Sequence, residues 1–159
     1  MVEMIELKIT QIDVYQVDLP FSGGIYHLSG GRSYTTFDAT IVRITTNAGI
    51  EGWGESTPFG ANYIAAHALG VRAGIAEMAS HLINLDPRQL DRINETMDLL
   101  LVGHGHAKTA IDVACWDVFE KWVRILLAEH PFNLQKRYLS RCDGRLSGGC
   151  SNPSTRTYR

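Results

Sequence analysis

A β-hairpin between Ala39 and Glu55 is the feature that most constrains how this chain can fold. Its first half, ATIVRIT, is rich in β-branched residues, which suit a pleated and half-buried backbone. Asn47-Ala48-Gly49 supplies turn chemistry, because glycine adopts positive φ without strain. The returning half, IEGWGE, places Gly52 and Gly54 on one face, and two glycines in a short strand indicate that something approaches closely. The sequence therefore predicts a rigid hairpin that delivers the loop after it.

Hydrophobic periodicity around the hairpin predicts an α+β fold. Leu7 to Leu19 has the pattern of a strand, and its changes of phase indicate a bulge or burial on both faces. From Asn62 to Leu82 the apolar residues follow helical spacing, and Asp86-Pro87 predicts the start of a second helix, with Asp86 as N-cap. A third helix is predicted from Ala107 to about Lys121. The expected architecture is a three-stranded antiparallel sheet followed by a helical bundle.

The length and composition favour one domain in a reducing compartment. The 159 residues have a mean hydropathy of −0.08 and can bury a core. No apolar run approaches the ~20 residues of a transmembrane helix, and the N-terminus lacks a signal-peptide pattern. The three cysteines have no paired spacing. We therefore expect a cytoplasmic protein without a membrane partner.

The charge balance reverses near residue 121. Residues 1–121 hold 8 Lys and Arg against 15 Asp and Glu, whereas residues 122–159 hold 7 against 2. Residues 139–159 also lack a hydrophobic period. A basic tail can be a nucleic-acid-binding arm, or it can be a segment that was never selected for folding. We predict that residues 122–159 are a disordered tail and expect no nucleic-acid partner.

Two loops carry the candidates for ligand binding. They are the glycine-rich loop Phe21–Tyr34 and the loop Ser56–Tyr63 that follows the hairpin. Aromatic surfaces with hydrogen-bonding tips suit a lid over a small molecule, and scattered surface aromatics are the equal alternative. The candidate substrate-binding residues are Tyr26, His27, Glu55, Phe59 and Tyr63.

Other potentially reactive residues favour structural roles. His104 and His106 could be a metal pair, but no third ligand has a convincing spacing, so we predict no metal site. Cys115 lies among apolar residues and is expected to be a small buried hydrophobe. Asp112 and Asp117 are about 140° apart around a helix and cannot form an acid–base pair on one face.

Several motifs resemble one enzyme family. Gly52-Trp53-Gly54-Glu55 and the helix AKTAIDVACWD at residues 107–117 resemble the N-terminal capping domain of the mandelate racemase/muconate lactonizing enzyme group of the enolase superfamily. Thr57-Pro58-Phe59-Gly60, AHALG at 66–70 with AEMA at 76–79, and MDLL at 97–100 with Gly103-His104 resemble the cis-3-hydroxyproline dehydratases and hydroxyproline-betaine epimerases. The resemblance covers about residues 7–121, so residues 1–121 are identified as a capping domain.

The resemblance implies a lid on a (β/α)8 barrel. Enzymes of this group remove a proton α to a carboxylate and stabilise the enediolate on Mg2+, and their bases and metal ligands stand at the ends of barrel strands. The cap contributes two mobile loops that set specificity, and these match residues 21–34 and 56–63. Family members are often homo-oligomers that act on small carboxylate substrates through the barrel.

The chain departs from the family after the third helix. A barrel takes roughly 250 residues, and only 38 follow residue 121. We therefore expect a truncation or a shifted reading frame near that point, with no catalytic residue, no metal ligand and no cofactor in this chain. The alternative is a stand-alone protein-interaction module whose exposed Trp116 and Ile111 mark the binding surface.

Overall fold

The computed structural model describes residues 6–60, 63–129 and 155–158, with backbone alone at 128–129 and 155–158. Most of the predicted tail of residues 122–159, namely residues 130–154 and residue 159, therefore lies outside the described residues. The strands are β1 (Ile9–Pro20), β2 (Tyr26–His27), β3 (Ser33–Tyr34), β4 (Thr36–Thr46), β5 (Glu51–Ser56) and β6 (Thr155–Tyr158). The helices are α1 (Ala68–Leu82), α2 (Leu90–Leu100) and α3 (Gly105–Glu129).

The main sheet is antiparallel and has the order β5-β4-β1-β6. The register shifts between Ile9 and Gln11, which agrees with a bulge, one of the two alternatives predicted for the first strand. The three predicted strands, β1, β4 and β5, form one continuous meander, and the predicted α+β fold is confirmed. β6 adds a strand that was not predicted, pairing its backbone with Ile12 to Tyr15 of β1.

Helices α1 and α3 cover one face of this sheet, and α2 packs against both of them, so that the three helices and the sheet enclose the core. Alternate strand residues such as Ile12, Val42 and Ile44 point toward the helices and are fully buried or nearly so. They pack against the apolar faces of the helices, which contribute Ile75, Met78, Ile93, Met97, Ile111 and Val118. Among the described residues, no helix is both long and apolar enough to cross a membrane.

Gly52 and Gly54 lie where the backbone of α3 passes closest to β5. A Cβ atom at Gly54 would overlap with the carbonyl oxygen of Ala110, and one at Gly52 would overlap with that of Ala114. Neither of these glycines has a positive φ, so space rather than backbone conformation requires glycine here. The close approach that the sequence predicted is confirmed, and the approaching element is α3.

The outer edge of β5 is covered by polar side chains of α3. The backbone N–H of Trp53 donates to Asp117 Oδ2 at 2.8 Å. Lys121 Nζ donates to the carbonyl oxygen of Glu51 at 2.8 Å and to Asp117 Oδ2 at 2.7 Å. These bonds satisfy backbone groups that an edge strand otherwise leaves open to another chain. Asp117 thus has a structural role at the strand edge, in agreement with the prediction that it does not form an acid–base pair.

Two helices begin later than the sequence predicted. The first starts at Ala68 instead of near Asn62, and the second at Leu90 instead of Pro87. Asp86 does not cap the second helix, because its side chain accepts the N–H of Arg88 at 2.9 Å and pairs with the Arg88 guanidinium at 2.7 Å. The carboxylate therefore stabilises a turn ahead of the helix.

We expect Gly54→Ala to lower the free energy of unfolding by more than about 2 kcal/mol, because the added methyl group meets backbone that cannot rotate away. Urea denaturation followed by circular dichroism measures the change. Gly105→Ala is the matched control, since nothing lies within 4 Å of its added Cβ. A Gly54→Ala protein as stable as the Gly105→Ala protein would contradict the close approach.

Candidate functional site

Six aromatic rings join the two candidate loops at one end of the sheet. Phe37, at the start of β4, lies 4.8 Å from Phe59, 6.1 Å from Tyr26 and 5.6 Å from Tyr34 between ring centroids. Phe59 also lies 5.5 Å from Tyr26 and 6.1 Å from Tyr63. Such offset and edge-to-face pairs are each worth about 0.5–1.5 kcal/mol beyond the area that they bury. The aromatic cluster consists of Phe21, Tyr26, Tyr34, Phe37, Phe59 and Tyr63.

Local backbone geometry brings the loops into contact. The first loop folds into a small hairpin, in which Tyr26 of β2 pairs with Tyr34 of β3. The second loop turns at Gly60, which has a φ of +78°, a conformation that favours glycine. A Cβ atom at Gly60 would lie only 2.5 Å from the Tyr34 hydroxyl oxygen. The positive φ therefore favours glycine at this position, and the hydroxyl end of Tyr34 would have to shift to make room for a larger residue.

The structure brings together three of the five predicted site residues. Tyr26, Phe59 and Tyr63 are members of the aromatic cluster. His27 is exposed and pairs through its strand with Ser33. Glu55 is exposed beside Trp53 on the sheet face turned away from the helices, where its carboxylate accepts the Thr57 hydroxyl at 2.5 Å. Neither His27 nor Glu55 makes a ring contact or hydrogen bond to the cluster among the contacts described.

Sequence reasoning missed the residue at the centre of the cluster. Phe37 was not a candidate because it lies between the predicted loop, which ends at Tyr34, and the predicted hairpin, which begins at Ala39. In the structure it lies opposite Leu19 at the end of β1, where the first loop begins. A large aromatic residue at a strand end between two loops was the signal.

A cavity of about 310 Å³ lies between the two loops and the start of α1. Tyr34 and Phe37 line one side of it, Pro58 and Gly60 another, and His67 lies at the helix end. Its volume is at the lower end of the range for small-molecule sites. The lining residues are Tyr34, Thr36, Phe37, Asp38, Pro58, Gly60, His67, Ala68 and Leu69.

A partly exposed ion pair forms the charged part of this wall. Arg72 donates to both carboxylate oxygens of Asp38 at 2.8 and 2.9 Å and lies 3.3 Å from the Thr40 hydroxyl. Because the arrangement is bidentate, it holds α1 against β4 in a defined orientation. The ion pair neutralises Asp38, so the cavity presents little uncompensated charge from these two residues.

A second cavity of about 360 Å³ lies between the starts of α1 and α3. His67, His104 and His106 line it, together with small residues. No group of three or more His, Cys, Asp or Glu side chains that could hold a metal ion occurs in the described part of the chain. The residues described here therefore do not fit a magnesium site.

Residues on α3 divide between the core and the surface. Ile111 is fully buried against the sheet, so the prediction that it marks an exposed surface was wrong. Trp116 is 52% exposed, as predicted. Cys115 is fully buried, which confirms its prediction as a small hydrophobe, and burial raises the pKa of its thiol to about 12. Asp112 accepts the side-chain amide of Asn94 at 2.7 Å and joins two helices.

The family model for the mandelate racemase/muconate lactonizing enzyme N-terminal domain matches residues 25–129. The chain belongs to this family. The matched range contains the second candidate loop, all three helices and most of the first loop, so the cap fold and the family agree.

Individual relatives, some of them with solved structures, support the assignment to this family. The chain is 48% identical over 115 residues to a cis-3-hydroxy-L-proline dehydratase of Roseibium aggregatum. The aligned residues cover 72% of this chain and 31% of that protein. A mandelate racemase/muconate lactonizing enzyme structure from Aspergillus oryzae is 70% identical to this chain, with a TM-score of 0.66. The match covers 74% of this chain and 30% of the Aspergillus oryzae chain. A structure from Roseovarius nubinhibens complexed with magnesium is 53% identical, with a TM-score of 0.71, and covers 73% and 31%.

This chain therefore spans about 31% of the length of such relatives, and the part that it spans is the cap. Magnesium is bound by the Roseovarius nubinhibens protein. The family places this chain among homologues of racemases and dehydratases.

We expect Phe59→Ala to loosen both loops, because Phe59 contacts a ring from the first loop as well as Phe37. Hydrogen–deuterium exchange should speed up at residues 21–34, although the substitution lies in the other loop. Trp116→Ala is the control, since it removes an exposed aromatic side chain from α3. Unchanged exchange in the first loop would contradict the conclusion that contacts of Phe59 hold the two loops together.

We expect the Cys115 thiol to be inert in the folded protein. With Cys142 and Cys150 replaced by serine, Cys115 is the sole thiol of the chain. Ellman's reagent at about pH 8 should then react only as fast as the protein unfolds, because the reactive form is the thiolate. The raised folded-state pKa also means that this group's contribution to stability is complete below the unfolded-state pKa and is lost as the pH rises from 9.0 toward about 12. Immediate labelling of the folded protein would contradict the burial.

Proposed function

We propose that this chain is the lid domain of a Mg2+-dependent racemase, epimerase or dehydratase that removes an α-proton from a small carboxylate, with a proline derivative as the substrate type. The observation that carries the proposal is the aromatic cluster, which joins the two loops beside a cavity of about 310 Å³. The 48% identity to a cis-3-hydroxy-L-proline dehydratase supports the substrate class.

The chemistry of the cluster suits a cyclic amino acid. A pyrrolidine ring offers apolar surface that would pack on Tyr34 and Phe37, the two rings of the cluster that line the cavity, and its ammonium group is attracted to the faces of aromatic rings. Closing aromatic side chains over a substrate also removes water, which strengthens electrostatic interactions with the reacting groups. The candidates Tyr26, Phe59 and Tyr63 would contact the substrate, whereas His27 and Glu55 would contribute only after movement of the loops.

The reaction itself would require residues that the described part of this chain does not supply. Asp112 and Asp117 are engaged in structural hydrogen bonds, and Cys115 is buried as a thiol. We expect the base and the Mg2+ ligands to lie in the part of a full-length enzyme that this chain does not span. The isolated chain is therefore proposed to bind and enclose, but not to turn over, the substrate.

A stand-alone interaction module is the second candidate. The observation that favours it is an apolar strip on the solvent side of α3, where Val113, Trp116 and Leu127 are 42%, 52% and 52% exposed. Exposed apolar surface of this kind often marks a protein-binding face. The two candidates differ in whether the chain has a role without a barrel.

A chimera tests the proposal. The matched 115 residues of the Roseibium aggregatum dehydratase are replaced by those of this chain. We expect the chimera to act on cis-3-hydroxy-L-proline, and Phe59→Ala in the grafted cap to lower kcat/KM by on the order of tenfold or more, because the substrate is then less well positioned. The measurements are steady-state kinetics and deuterium incorporation at the α-carbon in D2O.

The unmodified dehydratase and the 159-residue chain alone are the controls. A folded chimera without activity on this substrate would contradict the proposed substrate class. Turnover by the isolated chain would contradict its role as a lid. A discrete dimer of the isolated chain that dissociates with Trp116→Ala would instead support the interaction module.

A further inference from the structure

The imidazole of His67 caps the first turn of α1 at the boundary between the two cavities. His67 has extended backbone angles, φ −145° and ψ 156°, and its Nδ1 accepts the N–H of Gly70 at 3.1 Å. Its carbonyl oxygen accepts the N–H of Val71 at 3.0 Å. The same side chain lines the cavity beside the loops and the cavity between α1 and α3.

A histidine cap differs from the usual ones in that a proton can occupy its acceptor atom. Serine, threonine, aspartate and asparagine accept from the first turn through oxygen. Only a neutral imidazole with its proton on Nε2 can accept through Nδ1. Histidine changes charge between about pH 5 and pH 8, and a positive charge at a helix N-terminus opposes the helix dipole. Protonation of His67 therefore removes the bond to Gly70 and adds a repulsive charge.

Charged and titratable groups face His67 from both cavities. On the loop side the cavity contains Tyr34 and Asp38, and the Asp38 carboxylate is held by Arg72. On the α3 side, the second cavity brings the imidazoles of His104 and His106 near His67. Since Asp38 is already paired with Arg72, it offers little compensation for a charge on His67.

We propose that His67 is a proton-operated cap that holds the start of α1 against the loop cavity at neutral pH and releases it at acid pH. Ala68 and Leu69 of the first turn line that cavity, so loss of the cap changes its wall. The consequence for enclosing a substrate depends on the proposed lid function. The cap itself does not depend on it.

The experiment is an NMR titration of the full chain from about pH 8 to pH 5. At the upper limit, long-range 1H–15N spectra should show the His67 imidazole as the Nε2–H tautomer. As the ring takes up a proton, the Gly70 amide should shift with the same midpoint, and its hydrogen exchange, corrected for intrinsic pH dependence, should accelerate roughly fivefold, as expected for a lost cap. An Nδ1–H tautomer, or a Gly70 amide that does not respond, would overturn the proposal.

Two variants separate His67 from its neighbours. His67→Asn supplies a cap that does not titrate, so Gly70 should remain protected throughout the titration. His104→Gln/His106→Gln should retain the response of Gly70, because the cap is intact. Loss of the response in the double variant, or its persistence in His67→Asn, would overturn the proposal. None of these readouts requires substrate or turnover, so failure of the lid function leaves the test of the cap unaffected.

Discussion

The close approach of α3 to β5 is the constraint on which the rest of this structure depends. Without side chains at Gly52 and Gly54, the strand lies against the carbonyl oxygens of Ala114 and Ala110. At that distance Asp117 can reach the backbone of Trp53, and this bond covers the strand's outer edge. One pair of glycines thus sets the distance between the layers and leaves the edge strand hydrogen-bonded on both sides.

The site inherits its geometry from this contact. Because β5 is held between β4 and α3, the loop that follows Ser56 starts from a defined point. Phe59 then reaches Phe37 at 4.8 Å and Tyr26 at 5.5 Å, so the loops close on each other rather than on the helices. At the other wall, α1 is positioned by the Arg72–Asp38 ion pair and by the cap at His67. The hairpin and α1 therefore hold the two ends of the site in defined positions.

Local patterns in the sequence were sufficient wherever one short-range rule applied. The β-branched hairpin, the bulge and the glycine face of β5 each follow from side-chain size and strand alternation. Those patterns failed where two local options competed. Asp86 could cap a helix or hold Arg88, and its ion pair with Arg88 delays α2 to Leu90. On α3, Ile111 was predicted to mark an exposed surface together with Trp116, whereas it lies fully in the core.

The sequence by itself determined the fold class, the family and the two loops, because periodicity and motifs are properties of neighbouring residues. It also pointed to Tyr26, Phe59 and Tyr63 through their residue types. Only the tertiary structure decided that these three meet around Phe37 while His27 and Glu55 do not join them. It also placed His67 between two cavities. The physical reason is that such contacts depend on the angles at which loops leave the sheet, and those angles are set by the packing of α1 and α3 rather than by the loop residues.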